Sequence, residues 1–221
     1  PYTLQLRLKE HDPKNELEVN NTFTLANLLI DEEVSGKINT SKDKDFFLIK
    51  SNSKQEYFIS LVPSEELDLQ FEIFDKNRNK LYKVDNGKTG TNEIMPNFIS
   101  TGNFYIVVKS RLSGNPQESN YTLTYKSSKV TKDKEAEPND TMAKANVIAK
   151  KITGYISQKG DIDIYRMSYP SIVKNQFIIE GVADGIIQVS LTDPFGNIIK
   201  SKKVRGERTV KIQEMVDQRG Y

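Results

Sequence analysis

Two stretches concentrate side-chain oxygen: Glu135-Ala136-Glu137-Pro138-Asn139-Asp140-Thr141 and, after a short spacer, Gly154 to Asp163, which ends in Gly160-Asp161-Ile162-Asp163. In an extended chain alternate side chains point the same way, so Glu135, Glu137 and Asn139 line one side of the first stretch, and Asp161 and Asp163 one side of the second. Clustered carboxylates repel one another unless a cation sits between them, and a hard divalent ion with flexible oxygen coordination, calcium above all, is the usual answer. The same residues also fit a solvated acidic linker ahead of a helix, with Asn139 or Asp140 serving only as its cap.

The stretch occurs twice. Asn15 to Thr22 reads against Lys134 to Thr141 at a constant offset of 119, and Gly36 to Asp45 against Gly154 to Asp163 at an offset of 118. The match runs back to Tyr2-Thr3-Leu4 against Tyr121-Thr122-Leu123, and forward through Asp75 against Asp193 to Gly102 against Gly220. The expected organisation is therefore a tandem array. Residues 1–10 would be the last strand of a preceding copy, 11–128 a complete copy, and 129–221 a second copy cut short at its C-terminal end by two strands. A repeat of this length is a domain of ordinary size and no solenoid unit.

Alternation and turn residues give the elements of each copy. Tyr2 to Leu8, Phe46 to Lys50, Tyr57 to Val62, Leu69 to Phe74, Tyr105 to Lys109 and Tyr121 to Tyr125 read as strands. Between them lie turn-formers such as Asp75-Lys76-Asn77-Arg78-Asn79 and Ser113-Gly114-Asn115-Pro116. Phe177 to Glu180, Ile186 to Thr192 and the turn Asp193 to Asn197 repeat the order. Thr22 to Leu29 and Thr141 to Ala149 read as short helices after a cap. The fold class is all-β: tandem antiparallel β-sandwiches of jelly-roll type, each with one short N-terminal helix. Tyr105, Tyr121 and Tyr165 read as strand core or its edges.

The chemistry of an enzyme is missing. The 221 residues contain no cysteine and one histidine, His11, which falls in a linker. Ser-His and Cys-His nucleophile systems therefore have no basis. Asp161 and Asp163 lie two apart on one segment, whereas sugar hydrolysis needs carboxylates on opposite sides of a substrate. Asp75 to Asn86 begins like a calcium helix-loop-helix but has Asn86 at the twelfth position, so it reads as a turn. Lys plus Arg number 32 against 30 Asp plus Glu, which argues against a nucleic-acid partner. Lys200, Lys202, Lys203 and Arg205 read as a solvated hairpin edge. The sequence has no apolar run long enough to span a membrane as a helix.

Taken together, Glu-Ala-Glu-Pro-Asn-Asp-Thr, Gly154-Tyr155-Ile156, Gly160-Asp161-Ile162-Asp163 and a closing Tyr-Thr-Leu strand resemble the bacterial pre-peptidase C-terminal domain, a family that includes the collagen-binding domains of bacterial collagenases. The resemblance implies a β-sandwich, export from a bacterium to the medium or cell surface, and a non-catalytic role beside another module. It also implies calcium, one ion per repeat. Glu135, Glu137, Asn139, Asp140, Asp161 and Asp163 match the calcium-holding motif in the second copy, and Glu16, Glu18, Asn20, Asp43 and Asp45 in the first. Asn21 stands where the second copy has Asp140, leaving four carboxylates against five, so the second site is expected to bind more tightly. An extracellular protein or polysaccharide is the implied partner class, without a residue-by-residue match to a collagen surface. Open strand edges in the shortened copy further suggest strand exchange between molecules through Tyr2 to Leu8.

Overall fold

The computed structural model describes residues 3–5, 10–111, 120–156, 160–167, 173–183 and 185–216. The chain divides into two compact units, one of residues 1–146 with 150–164, the other of 147–149 with 165–221. Of the Tyr2 to Leu8 strand, Thr3, Leu4 and Gln5 are described, without strand structure; the rest of that expectation, like the Ser113 to Pro116 turn and Gly220, lies outside the described residues.

The first unit contains β1 (Asn27–Leu28), β2 (Glu33–Lys37), β3 (Lys44–Ile49), β4 (Gln55–Pro63), β5 (Leu69–Asp75), β6 (Lys80–Val84), β7 (Glu93–Ser100), β8 (Phe104–Ser110) and β9 (Asn120–Lys129). They form two sheets, of order β1-β3-β8-β5-β6 and β2-β9-β4-β7. Apart from the short parallel β1–β3 pair, all pairing within them is antiparallel. Period-2 alternation does the sorting: Leu69, Phe71 and Ile73 of β5, Ile106 and Val108 of β8, and Tyr57, Ile59 and Leu61 of β4 are all buried in one cluster drawn from both sheets. Phe104 anchors it, edge-on to Tyr57 at 4.8 Å and to Phe98 at 5.0 Å between ring centroids. The architecture is the all-β sandwich read from the sequence.

The helices are shorter than the sequence suggests. Each is a single 3-10 turn, Phe23–Leu25 and Met142–Lys144, with no side-chain cap. The reason lies two residues further on, where Asn27 and Asn146 enter the two-residue strands β1 and β10 (Asn146–Val147) and use their amides to clamp other backbone. Phe23 is held against the sheet by Phe46, Tyr105 and Phe74, at 4.8, 5.1 and 5.2 Å. The Asp75 loop is a turn: Asp75 accepts from the Asn77 and Asn79 amides at 2.8 and 2.9 Å and from Asn79 Nδ2 at 2.9 Å.

The second unit comprises β11 (Tyr165–Arg166), β12 (Val173–Glu180), β13 (Ile186–Thr192), β14 (Ile198–Arg205) and β15 (Thr209–Val216). Here β12 pairs with β15 and β13 with β14, both antiparallel. Asp193 repeats the Asp75 turn, accepting from the Phe195 and Asn197 amides and from Asn197 Nδ2. Two of the three lysines of β14 are engaged and not simply solvated. Lys200 Nζ donates to the Gln213 carbonyl and pairs with Glu214, and Lys202 Nζ donates to the Lys211 carbonyl. Among the described residues no helix is long and apolar enough to cross a membrane.

Candidate metal centres

Both acidic segments lie in the first unit, and each is fastened by the same set of bonds. Glu16 N donates to the Ser35 carbonyl and Glu135 N to that of Thr153, each at 2.9 Å. Leu17 and Ala136 are each gripped on both backbone groups by an asparagine amide, Asn27 and Asn146 respectively. Glu16 accepts from the Lys37 amide, and Glu135 from that of Tyr155. Glu18 and Glu137 each accept from the backbone amide two residues on, those of Asn20 and Asn139. These bonds fix the backbone of each segment, and its acidic side chains gather on one side.

The first cluster gathers one carboxylate oxygen each from Glu16, Glu18 and Asp45, all within 4.8 Å of one another. Asn20 is fully buried among them. Its amide oxygen lies 3.2 Å from Asp45 Oδ1 and 3.3 Å from Glu18 Oε2, while its nitrogen faces Glu16 Oε2 and Asn27 Oδ1 at 3.4 Å. Both ends of one amide therefore face acceptors, although only one end can donate. Asp43 is buried alongside but committed elsewhere, accepting from the Asn39 and Lys44 amides at 2.7 and 3.0 Å. Tyr121, whose hydroxyl donates to Asp45 Oδ2 at 2.6 Å and lies 3.3 Å from Glu16 Oε2, closes the cluster from β9.

The second cluster gathers Glu135, Glu137 and Asp163 by the same criterion. Glu135, Glu137 and Asn139 are buried. Glu137 Oε1, Asn139 Oδ1 and Asp163 Oδ1 are sealed from solvent with no hydrogen-bond partner in the protein. Asn139 Nδ2 is likewise sealed without a partner, one donor among these acceptors. Leaving such a group unmet costs about 1–3 kcal/mol, and carboxylate oxygens outnumbering donors in a buried cluster suit a cation. Asp161 stands next to the cluster and accepts from the Tyr82 hydroxyl at 3.2 Å. Asp140 is exposed and outside the cluster, as is Asn21 in the first segment.

Electrostatics agree with the geometry. Burial, reinforced by Glu16 and its neighbours, pushes Asp45 up to about 9. Burial and the adjacent Asp161, Glu135 and Asp163 push Glu137 to about 8, and burial with Glu135 and Asp161 pushes Asp163 to about 7. Glu16 is raised too, chiefly by burial, and burial holds the Tyr121 phenol well above its ordinary range. Carboxylates held this unwillingly are good sites for a hard cation, which removes both the desolvation and the mutual repulsion at once.

Several residues that build these centres were not singled out from the sequence: Asn27, Asn146, Asn39, Asn97, Tyr82 and the hydroxyl role of Tyr121. Asn27 and Asn146 stand at the same offset of 119 as the acidic residues, so the repeat itself carried that signal. Gly36 has a comparable logic, because it lies opposite Tyr121 in the β2–β9 pair and a Cβ there would sit 2.2 Å from the Tyr121 ring. Gly36→Ala is expected to displace the ring, costing about 1–3 kcal/mol by overpacking. Chemical denaturation checks this, and an unchanged midpoint would show that the ring does not need that space.

No family model and no curated protein matches the chain. Among solved structures it is similar to the pre-peptidase C-terminal domain of a collagenase from Bacillus anthracis, at 15% identity and a TM-score of 0.36, over 42% of this chain and 87% of that one. It is also similar to a protein from Eubacterium rectale described as secreted, at 11% identity and a TM-score of 0.31, covering 72% of this chain and 39% of that one.

Proposed function

We propose that the chain is part of a non-catalytic array of tandem β-sandwich modules, exported by a bacterium and stabilised by calcium. In the repeat each acidic segment opens a module, and in this reading an ion bound there stiffens that lead-in, so that a flexible string becomes a spacer displaying sandwich surfaces to an extracellular protein or polysaccharide. The observation that carries this reading is the gathering of buried carboxylates in the second cluster, with Glu137 Oε1 and Asp163 Oδ1 lacking a hydrogen-bond partner, together with the acceptor-bound Asn20 amide in the first.

In this reading Glu16, Glu18, Asn20 and Asp45 hold one ion, with Asp43 alongside, and Glu135, Glu137, Asn139 and Asp163 hold the other, with Asp161 alongside. Because Asp140 lies outside the cluster, a fifth carboxylate no longer explains a tighter second site. Unmet demand does: Glu18 is exposed and already accepts from Asn39 Nδ2 at 2.7 Å, whereas Glu137 is buried with a free oxygen. Calorimetric titration of the full chain with calcium should resolve two sites. Glu137→Gln should abolish the tighter one and Glu18→Gln weaken the other. A single site, no heat, or a tighter first site would overturn the corresponding part of the proposal. An alternative role as accessory modules of a secreted peptidase keeps the same metal chemistry and differs only in the neighbouring domain.

A further inference from the structure

The second acidic segment, fastened by the same internal bonds as the first, does something that the first does not. Glu137 forms a parallel bridge with Phe98 of β7, the edge strand of the four-stranded sheet. Its carbonyl accepts from Ile99 N at 3.2 Å and its amide donates to the Asn97 carbonyl at 3.4 Å. Next to this bridge, Asn97 sends Nδ2 to Glu135 Oε1 at 2.9 Å. The segment thus extends the sheet by a short parallel strand and covers the β7 edge. The consequence is burial: Glu135 and Glu137 are 0% and 2% exposed.

Glu18 is the counterpart of Glu137. Its segment is held by the same internal bonds and bends at Glu18, yet among the described residues the Glu18 backbone amide and carbonyl make no backbone hydrogen bond. Leu17 and Val19 are 54% and 64% exposed, where Ala136 and Pro138 are half-buried. A segment fastened like its β7-paired counterpart, with an amide and carbonyl that make no backbone bond and with flanking exposed apolar side chains, is a ready edge for strand addition.

We propose that the backbone from Leu17 to Val19 is a docking edge for a β7-type strand of a further module of this fold, one that carries asparagine at the position of Asn97. The side-chain requirement follows from charge. The incoming strand must bring a neutral donor to Glu16, as Asn97 does to Glu135, and a carboxylate there would add to the repulsion in the cluster. Neither described strand of this type fills the role. Strand β7 already holds Glu137, and β15, the strand that pairs with β12 as β7 does with β4, runs without the register shift that accompanies Asn97 and offers Gln213 and Glu214. The inference stands on backbone pairing and needs no ion.

The test uses the full chain and, as probe, a synthetic peptide of residues 91–101, Thr91 to Thr101. Amide hydrogen exchange of Glu18 and Val19 is followed by NMR, with calcium and again with chelator. The peptide is expected to slow exchange of Glu18 at least about tenfold under one or both conditions, which corresponds to about 1.4 kcal/mol of protection. The peptide with Asn97→Leu should have little effect. Unchanged exchange under both conditions overturns the docking edge, whatever the calcium titration gives. Equal slowing by both peptides overturns the asparagine requirement.

Discussion

Saturating calcium is expected to raise the melting temperature of the chain by about 10–20 °C, and a chelator to reverse the shift. A ligand at a hundred times its dissociation constant adds about 2.7 kcal/mol per site, and unfolding of a domain of this size shifts by about 2–4 °C per kcal/mol. Both centres lie in one compact unit, so their contributions fall on the same transition and sum to about 5 kcal/mol. The effect should be local as well as global. Without the ion, segments 15–20 and 134–140 keep their backbone clamps from Asn27 and Asn146 but hold mutually repelling carboxylates, so proteolysis should begin there and calcium should suppress it. A shift below about 2 °C at millimolar calcium would mean that the gathered oxygens do not take up the ion with useful affinity, because one site at ten times its dissociation constant, about 1.4 kcal/mol, already predicts more.

The expected stabilisation depends on positions that were unevenly legible. Strands with clean alternation and β-branched or aromatic residues, such as Leu69 to Phe74 and Ile186 to Thr192, announce themselves, since a half-buried sheet imposes that period. β7 does not, because Pro96 and Asn97 interrupt it. The edge of the sheet and a register shift tolerate the proline, and the asparagine is spent on Glu135. β2, Glu-Val-Ser-Gly-Lys, hides for a related reason, its glycine making room for the Tyr121 ring.

The acidic clusters were legible as composition and spacing, but not their membership. Extended geometry predicts Glu135, Glu137 and Asn139 on one side, and the fold buries all three, although its backbone there is not a regular strand. It cannot say that Asp140, next in line, faces solvent, or that Asp43 is taken up by the Asn39 and Lys44 amides. Such assignments depend on partners distant in sequence. Tyr121 reaches Asp45 across 76 residues and Asn97 reaches Glu135 across 38, and no local pattern encodes either contact.

Calcium affinity is expected to fall at least about a hundredfold between pH 8 and pH 6, while the calcium-free protein changes in the opposite sense. Asp45, Glu137 and Asp163 are held up at about 9, 8 and 7 in the folded chain, whereas unfolded carboxyls titrate at about 4. Between those limits the folded chain keeps protons that the unfolded chain releases. That share of stability is complete below about pH 4 and drains away as the pH rises through 7 to 9. Glu72 and Asp85 act the other way: ion pairs with Lys109 and Lys80, and with Lys83 and Arg111, lower them, so their contribution is lost only on strong acidification. The calcium-free chain is therefore most stable in mild acid. An incoming cation must displace the retained protons, and each proton displaced costs about tenfold in affinity per pH unit below the folded pKa. At neutral pH binding should release protons, measurable as a dependence of the calorimetric heat on the ionisation enthalpy of the buffer. Affinity that stays flat from pH 8 to pH 6, with no buffer dependence, would mean that the buried carboxyls titrating in this range are not the groups that meet the ion.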